Sequence, residues 1–501
     1  MNMVSHHHAP QNRAQTEGGL AIFSLAGALF FGALAFMLSY MDVGRWAFAS
    51  AVTMAIAIDL FFWFAVVKHD LRSFALKVGF FSSMIGKIYP LALCFSLPLS
   101  QDHLFPWGGY LFESPLLAAW GANVPSVSIA LVYLLSRPIS PKRQTDVSIY
   151  SFIEKSGPRF EWFLIFAGAV KMLYWVSITV LDNPLFYVVR VLNSAMFYAP
   201  FFVGMCAFKH RRALYTWLGI LGFLLITAFL TGSRGPAFFP ILLFGVGFAV
   251  GLPNWRQRFR WAVILAPAAA VLLASAVFIG AVRDVVGRTD LATALNEGTL
   301  LSSLSDVTVT SNIDYTGGVA YKAFRRLTPW PTYVIPAMTP NAVPYRGFDD
   351  FTYEVRAAFG LGIFALISEN FQGAYYFGNI FLKPYGFAVH VDAYGKKTSN
   401  VELAVFVDAF MRGGWIVAFG FTMFTYSLIF AAERYLRKWL LPHKLPLCMM
   451  IMTVLCYLVA IRCTRASMVD SVRMLILEGG FSFVVFYLFD LGLTKMGIRR
   501  G

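Results

Sequence analysis

Thr231-Gly232-Ser233-Arg234-Gly235-Pro236 separates two strongly apolar runs, residues 213–230 and 237–252. Each run approaches the length that an α-helix needs to cross a bilayer, about 20 residues. Gly232 and Gly235 permit the backbone angles of a tight turn, and Pro236 suits the first turn of a helix. The stretch therefore predicts a membrane hairpin of two helices with Arg234 at its tip.

Similar apolar runs recur along the whole chain. Of the 501 residues, 58% are hydrophobic and only 13% are charged. Barrel strands alternate apolar and polar residues, and these runs do not, so we predict an all-α polytopic membrane protein. We expect about twelve transmembrane helices, at approximately residues 20–40, 46–67, 74–97, 116–135, 161–181, 185–208, 213–230, 237–252, 261–281, 415–432, 445–461 and 472–493.

The basic residues predict the orientation. The net charge is +15, which in a membrane protein indicates cytoplasmic loops facing anionic lipid rather than a nucleic-acid partner. If the N-terminus is inside, every basic cluster in a short loop falls on the cytoplasmic side. Both termini are then cytoplasmic, and Arg234 lies outside, against this charge bias.

This topology divides the chain into four parts. Residues 1–19 are predicted to be a disordered cytoplasmic tail, and residues 20–281 carry the first nine helices. Residues 282–414 form one large external loop with helical segments, since a connection of this length is usually functional or folded; the resemblance described below implies that it is periplasmic. Residues 415–501 hold the last three helices and a short cytoplasmic C-terminus.

Arginines on the predicted outer side are the main chemical signal. The guanidinium group offers planar paired donors that match phosphate oxygens and keeps its charge. These arginines therefore predict a site for a lipid-linked phosphate or pyrophosphate, with anchoring to lipid headgroups as the alternative. Besides Arg234, the candidates are Arg283, Arg288, Arg412, Arg462 and Arg465.

Candidates for a general base on the same side are few. His390 is the one histidine in the large loop, and imidazole is the commonest base near neutral pH. Glu402 is the second candidate, and Glu369 and Asp408 are rivals. No Walker loop, dinucleotide fingerprint or zinc-protease motif is present, and we expect no cofactor and no metal.

Three charges lie deep within predicted spans: Asp59, Lys87 and Lys171. Each costs about 2.5–3.5 kcal/mol at a helix centre unless it is paired. We expect Asp59 to pair with Lys87 or with Lys171 as a structural contact. In a transporter, the same residues would form a coupling site.

Around Arg234 the chain resembles the Wzy-type O-antigen and exopolysaccharide repeat-unit polymerases. Their recurring feature is an arginine, ten residues and a glycine, which Arg234 and Gly245 fit, with Gly232 and Gly235 beside the arginine. A second similarity runs from Glu402 to Glu433 and includes Phe410 and Gly413-Gly414. The predicted helix count and the single large external loop also match.

The resemblance implies a glycosyltransferase of GT-C-like architecture in the bacterial inner membrane, with its active site facing the periplasm. Its substrates would be a lipid-linked oligosaccharide donor and acceptor, carried on undecaprenyl pyrophosphate. A chain-length regulator and a flippase would be further partners. The arginines would hold the pyrophosphate, and His390 or Glu402 would take the acceptor proton.

Two other functions stay open. An O-antigen ligase has similar architecture and chemistry but transfers the glycan to lipid A-core. A non-enzymatic flippase or transporter of lipid-linked oligosaccharide would need a polar central cavity, and the large one-sided loop argues against it.

Overall fold

The computed structural model of the chain describes residues 9–68, 73–96, 108–136, 157–180, 198–231, 235–252, 256–261, 404–440 and 479–496, with shorter stretches and isolated positions between them. Apart from connections, these residues are helical and contain no β-strand. The helices are α1 (Ala9–Tyr40), α2 (Gly44–Phe62), α3 (Phe74–Ser96), α4 (Gly108–Glu113), α5 (Pro115–Leu135), α6 (Pro158–Val180), α7 (Ala199–Met205), α8 (Arg211–Thr231), α9 (Gly235–Gly251), α10 (Val405–Leu440) and α11 (Gly479–Lys495). A π-helical turn, Trp63–Val67, extends α2.

Five of these helices are long and apolar enough to cross a membrane: Gly18–Tyr40, Gly44–Val67, Ala75–Phe95, Pro115–Leu135 and Val405–Tyr435. The chain is therefore a helical membrane protein, as its composition predicts. The total of twelve spans, the cytoplasmic termini and the GT-C-like architecture stay predictions. Most of the predicted span 261–281, the whole of the span 445–461 and part of the span 185–208 lie outside the described residues.

Helix α1 differs from the sequence expectation at its start. It begins at Ala9, within the segment predicted to be a disordered tail, instead of at Leu20. The residues that precede Gly18 include Ala, Gln, Arg and Glu, which favour helix, and Pro10 suits a first turn. Apolar character locates the membrane-crossing part of a helix but not a polar extension of it.

The chain divides into two compact units. The first holds α1 to α5, nearly all of α10 and the large-loop residues Tyr333, Ala337 and Phe348. Its two main core clusters lie at opposite ends of the helices. One joins the beginning of α2, the end of α3 and the beginning of α5, and the other joins the end of α2, the beginning of α3 and the end of α5.

Tyr333 and Ala337 belong to the cluster at the beginning of α2. The large loop and the short α1–α2 connection therefore share one end of this unit. The predicted topology requires both connections to lie on the same side of the membrane, because it places each of them outside. Which compartment this end faces stays a prediction.

The second unit holds α6 to α9 and α11. Helices α7 and α9 are in backbone contact, because a Cβ atom added at Gly247 or Gly251 would overlap the carbonyl oxygen of Phe201 or Met205. Small residues allow this close approach of two helices. Helix α8 packs on α6, where Trp217 Nε1 donates a 2.8 Å hydrogen bond to the Leu164 carbonyl oxygen.

Candidate functional site

Helix α10 contains a sharp break at Gly413 and Gly414. Gly414 has φ 72°, a left-handed conformation that favours glycine. The Trp415 ring centroid lies 5.9 Å from that of Phe406 and 4.9 Å from that of Phe410. In a continuous helix Phe406 and Trp415 would be about 13.5 Å apart along the axis. Residues 405–412 therefore form a short helix that folds back on the beginning of the long one.

Arg412 ends this short helix and is almost completely buried. Its Nε lies 3.3 Å from Oδ1 of the buried Asp408, at ion-pair distance, although the N–H is not aligned for a hydrogen bond. An acidic residue four positions before an arginine is the favourable order in a helix. The Arg412 Cζ also lies 5.9 Å from the centroid of Phe348, a large-loop residue. Charge pairing and an aromatic ring thus hold the guanidinium beside the break.

Asp408 was a rival candidate for the general base. Asp408 is buried and forms an ion pair with Arg412. Its role is therefore to neutralise the charge of the arginine. The structure therefore favours Asp408 as the partner that positions Arg412.

Arg412 is the one predicted pyrophosphate ligand whose side chain the structure describes. The other predicted site residues lie outside the described residues; they are Arg234, His390, Glu402, Arg283, Arg288, Arg462, Arg465 and Gly232. Helix α8 ends at Thr231 and α9 begins at Gly235. The two apolar runs around Arg234 are therefore helices separated by three residues, as the sequence predicts.

The glycines of the polymerase-like motif have different surroundings. Gly235 begins α9. Gly245 lies within α9, and a Cβ atom added there would meet no described atom within 4 Å. Its neighbour Gly247 makes the backbone contact with α7 instead. Helix packing within the described residues therefore explains why a glycine is needed at position 247. It does not explain the glycine at position 245.

A second polar centre lies in the middle of the first unit. Lys87 of α3 forms a buried ion pair with Asp59 of α2, which selects the first of the two predicted partners. Ser126 of α5 donates a 2.6 Å hydrogen bond to Asp59 Oδ1 and lies 3.1 Å from Lys87 Nζ. Lys171 instead lies over the Tyr174 ring of its own helix, 5.7 Å from the centroid.

Glu433, near the end of α10, is also fully buried. It accepts hydrogen bonds from the Ser73 hydroxyl and, at 3.1 Å, from the Ala75 amide at the start of α3. The Tyr133 hydroxyl donates to the Ser73 carbonyl oxygen. A carboxylate at a helix start satisfies amides that have no partner within the helix. Glu433, part of the polymerase-like similarity, is therefore a cap that joins α10 to α3.

Sequence reasoning missed several buried residues of the first unit, among them Asn123, Ser126 and Tyr333. Asn123 and Ser126 are polar residues within an apolar span, a visible but weak signal, since small polar residues are common in membrane helices. Tyr333 lies in an aromatic run of the large loop, and only the tertiary structure shows that it enters the bundle.

Comparisons of this chain with protein-family models, with curated proteins and with solved structures give no significant match.

Proposed function

We propose that this protein is a membrane glycosyltransferase that joins lipid-linked oligosaccharide repeat units into O-antigen or exopolysaccharide. The observation that carries the proposal is the α8–α9 hairpin, in which Arg234 falls within three residues between two helices. Backbone contact with α7 fixes the position of α9. An arginine between two helices of a hairpin suits a preorganised anion site.

The reaction we propose needs no metal. The acceptor hydroxyl oxygen attacks the anomeric carbon of the donor glycan, and the bond from that carbon to the pyrophosphate oxygen breaks. Undecaprenyl pyrophosphate leaves with the bonding electron pair, and a base takes the hydroxyl proton. Negative charge then develops on the pyrophosphate, where fixed arginines stabilise it.

Arg412 supports the proposal as a second arginine at a defined position. The fold-back of residues 405–412 holds it beside a large-loop residue, Phe348. Because Asp408 compensates its charge, Arg412 suits orientation of a phosphate more than charge stabilisation. His390 is our first candidate for the base and Glu402 the second, and Arg283, Arg288, Arg462 and Arg465 are further candidates for the pyrophosphate site.

The experiment is complementation of a strain that lacks this gene, with glycan length analysed on gels. We expect Arg234→Ala to reach normal membrane levels but to yield single repeat units. Arg234→Lys should recover little activity, because an ammonium lacks the paired donors of a guanidinium. Arg211→Ala, at the exposed start of α8, is the matched control. Full-length polymer from Arg234→Ala would refute the proposal.

The same strains separate the two rival functions. Loss of a ligase leaves long polymer on its lipid carrier, whereas loss of a polymerase leaves single units. Loss of a flippase traps the lipid-linked unit on the cytoplasmic leaflet, which leaflet-specific labelling detects. The neighbourhood of the gene, beside a chain-length regulator or beside core-assembly enzymes, separates polymerase from ligase independently.

A further inference from the structure

Asp59, Lys87 and Ser126 form one buried polar centre, and a further buried polar residue lies on the same helix as Ser126. Asn123 lies three residues before Ser126 on α5, and residues at this spacing share one helix face. The Ser126 hydroxyl also lies 3.0 Å from the Asn123 carbonyl oxygen. All four side chains are at most 1% exposed. The centre is thus closed on every side that the structure describes.

The hydrogen bonds of this centre are incomplete among the described residues. Neither the amide oxygen nor the amide nitrogen of Asn123 has a partner there. Lys87 Nζ contacts Asp59 and Ser126, and an ammonium group carries three N–H donors. One donor of Lys87 and the complete amide of Asn123 therefore remain for a further group.

Charge and size define what that group is. The pair of Asp59 and Lys87 is neutral as a whole, and the ammonium group would repel a second cation. Asn123 offers both a donor and an acceptor, and a group that itself donates and accepts can satisfy either of them. With every member this deeply buried, only a very small molecule suits the site. Water meets these conditions and commonly satisfies buried polar groups in this way.

We propose that Asn123 and Lys87 bind an internal water molecule, which completes the polar centre between α2, α3 and α5. Both α3 and α5 contain a proline close to this level, Pro90 and Pro125. A proline lacks the N–H that would close its helical turn, so each helix is weakened where the polar contacts join it to its neighbours. The bound water stabilises this joint.

The test is the sign of a change in melting temperature, measured on purified protein in detergent. If water binds Asn123, Asn123→Leu breaks its hydrogen bonds, and we expect the Tm to fall by about 2–6 °C. If the amide is simply unsatisfied, the nearly isosteric leucine raises the Tm, and the proposal is overturned. Ser128→Ala is the control, because the Ser128 hydroxyl is buried and has no hydrogen-bond partner among the described residues, but lies on another face of α5.

A fall in the Tm of Asn123→Leu could come from loss of the water or from poor packing of the leucine side chain. The same substitution made in a second variant distinguishes these two causes. The double variant Asp59→Leu/Lys87→Met removes the ion pair, a change that is often neutral or stabilising. In this background Asn123→Leu should change the Tm by less than about 1 °C, because the site has lost its other partner. An equal fall in both backgrounds would mean poor packing and would overturn the proposal.

A direct observation covers the case in which the double variant does not fold. A high-resolution structure of the wild-type protein should contain a water within about 3 Å of both the Asn123 amide and Lys87 Nζ. Protein atoms filling this position would overturn the proposal.

Discussion

The Tyr333 hydroxyl donates a 3.3 Å hydrogen bond to the carbonyl oxygen of Gly86, in the middle of α3. Four residues later stands Pro90, which has no N–H to offer this carbonyl. A residue of the large loop thus supplies the donor that the helix itself lacks. The contact ties the loop to the helix bundle next to Lys87.

This relationship predicts a double-mutant cycle. Tyr333→Phe removes the donor and should lower stability by about 0.5–1.5 kcal/mol. Pro90→Ala restores the N–H, so the same change should cost clearly less in that background. The measurement is thermal unfolding in detergent, with the exposed Tyr110→Phe as control. Equal costs in both backgrounds would show that the two residues are not coupled.

The two glycines of α9 should respond differently to alanine. Gly247→Ala places a methyl group against the Phe201 carbonyl, which must separate α7 from α9 and lower both the Tm and activity. Gly245→Ala meets no described atom within 4 Å and should leave the Tm unchanged or slightly raised, since alanine favours helix. Because Gly245 is the motif glycine, activity lost at a normal Tm would assign it a role in function. A normal Tm for Gly247→Ala would argue against the close contact.

Variants of the ion pair between Arg412 and Asp408 can distinguish a role of Arg412 in stability from a role in glycan synthesis. Arg412→Ala leaves a buried carboxylate without its charge partner, and we expect a loss of about 3–5 kcal/mol. The double variant Asp408→Leu/Arg412→Met removes both charges and should recover most of this stability. If Arg412 binds the pyrophosphate, the double variant still makes only short glycans. Recovery of polymer together with stability would limit Arg412 to a structural role.

His210 predicts a loss of stability on mild acidification. Burial lowers the pKa of His210 below its usual value; nearby Glu161 opposes this shift, and Lys209 adds to it. The folded state therefore prefers the neutral imidazole. The contribution of the neutral His210 side chain to the free energy of unfolding is present above a pH of about 6.5. It is lost as the pH falls below that value.

The test for His210 compares melting temperatures between pH 7.5 and pH 5.5. His210→Gln keeps a neutral polar side chain and should lose less Tm over this interval than the wild type. His69→Gln, in another predicted cytoplasmic connection, should behave like the wild type. The same acid-dependent loss in His210→Gln would show that other groups govern it.

Apolar runs in the sequence were sufficient to predict several helices closely. The predicted spans 74–97, 116–135 and 213–230 agree with α3, α5 and α8 to within about two residues. The early start of α1 and the short helix 405–412 were missed, because neither depends on a run long enough to cross a membrane. Helix ends of this kind depend on propensity and tertiary contacts.

Side-chain partners were harder to predict than helices. The sequence indicates that Asp59 needs a cation, because an unpaired charge within a membrane is costly. It does not distinguish Lys87 from Lys171, since that choice depends on which helices are neighbours. The roles of Glu433, Asn123 and Tyr333 depend on the same tertiary information, and no local pattern carries it.

The break at Gly413 and Gly414 has a mechanical consequence for α10. The long part of this helix is anchored through Glu433 to the start of α3, at the end far from the break. The short part carries Arg412, and the non-helical backbone angles of Gly413 and Gly414 separate it from the long part. A displacement of the short part would therefore be taken up at the two glycines, while Glu433 keeps the far end of the long part joined to α3.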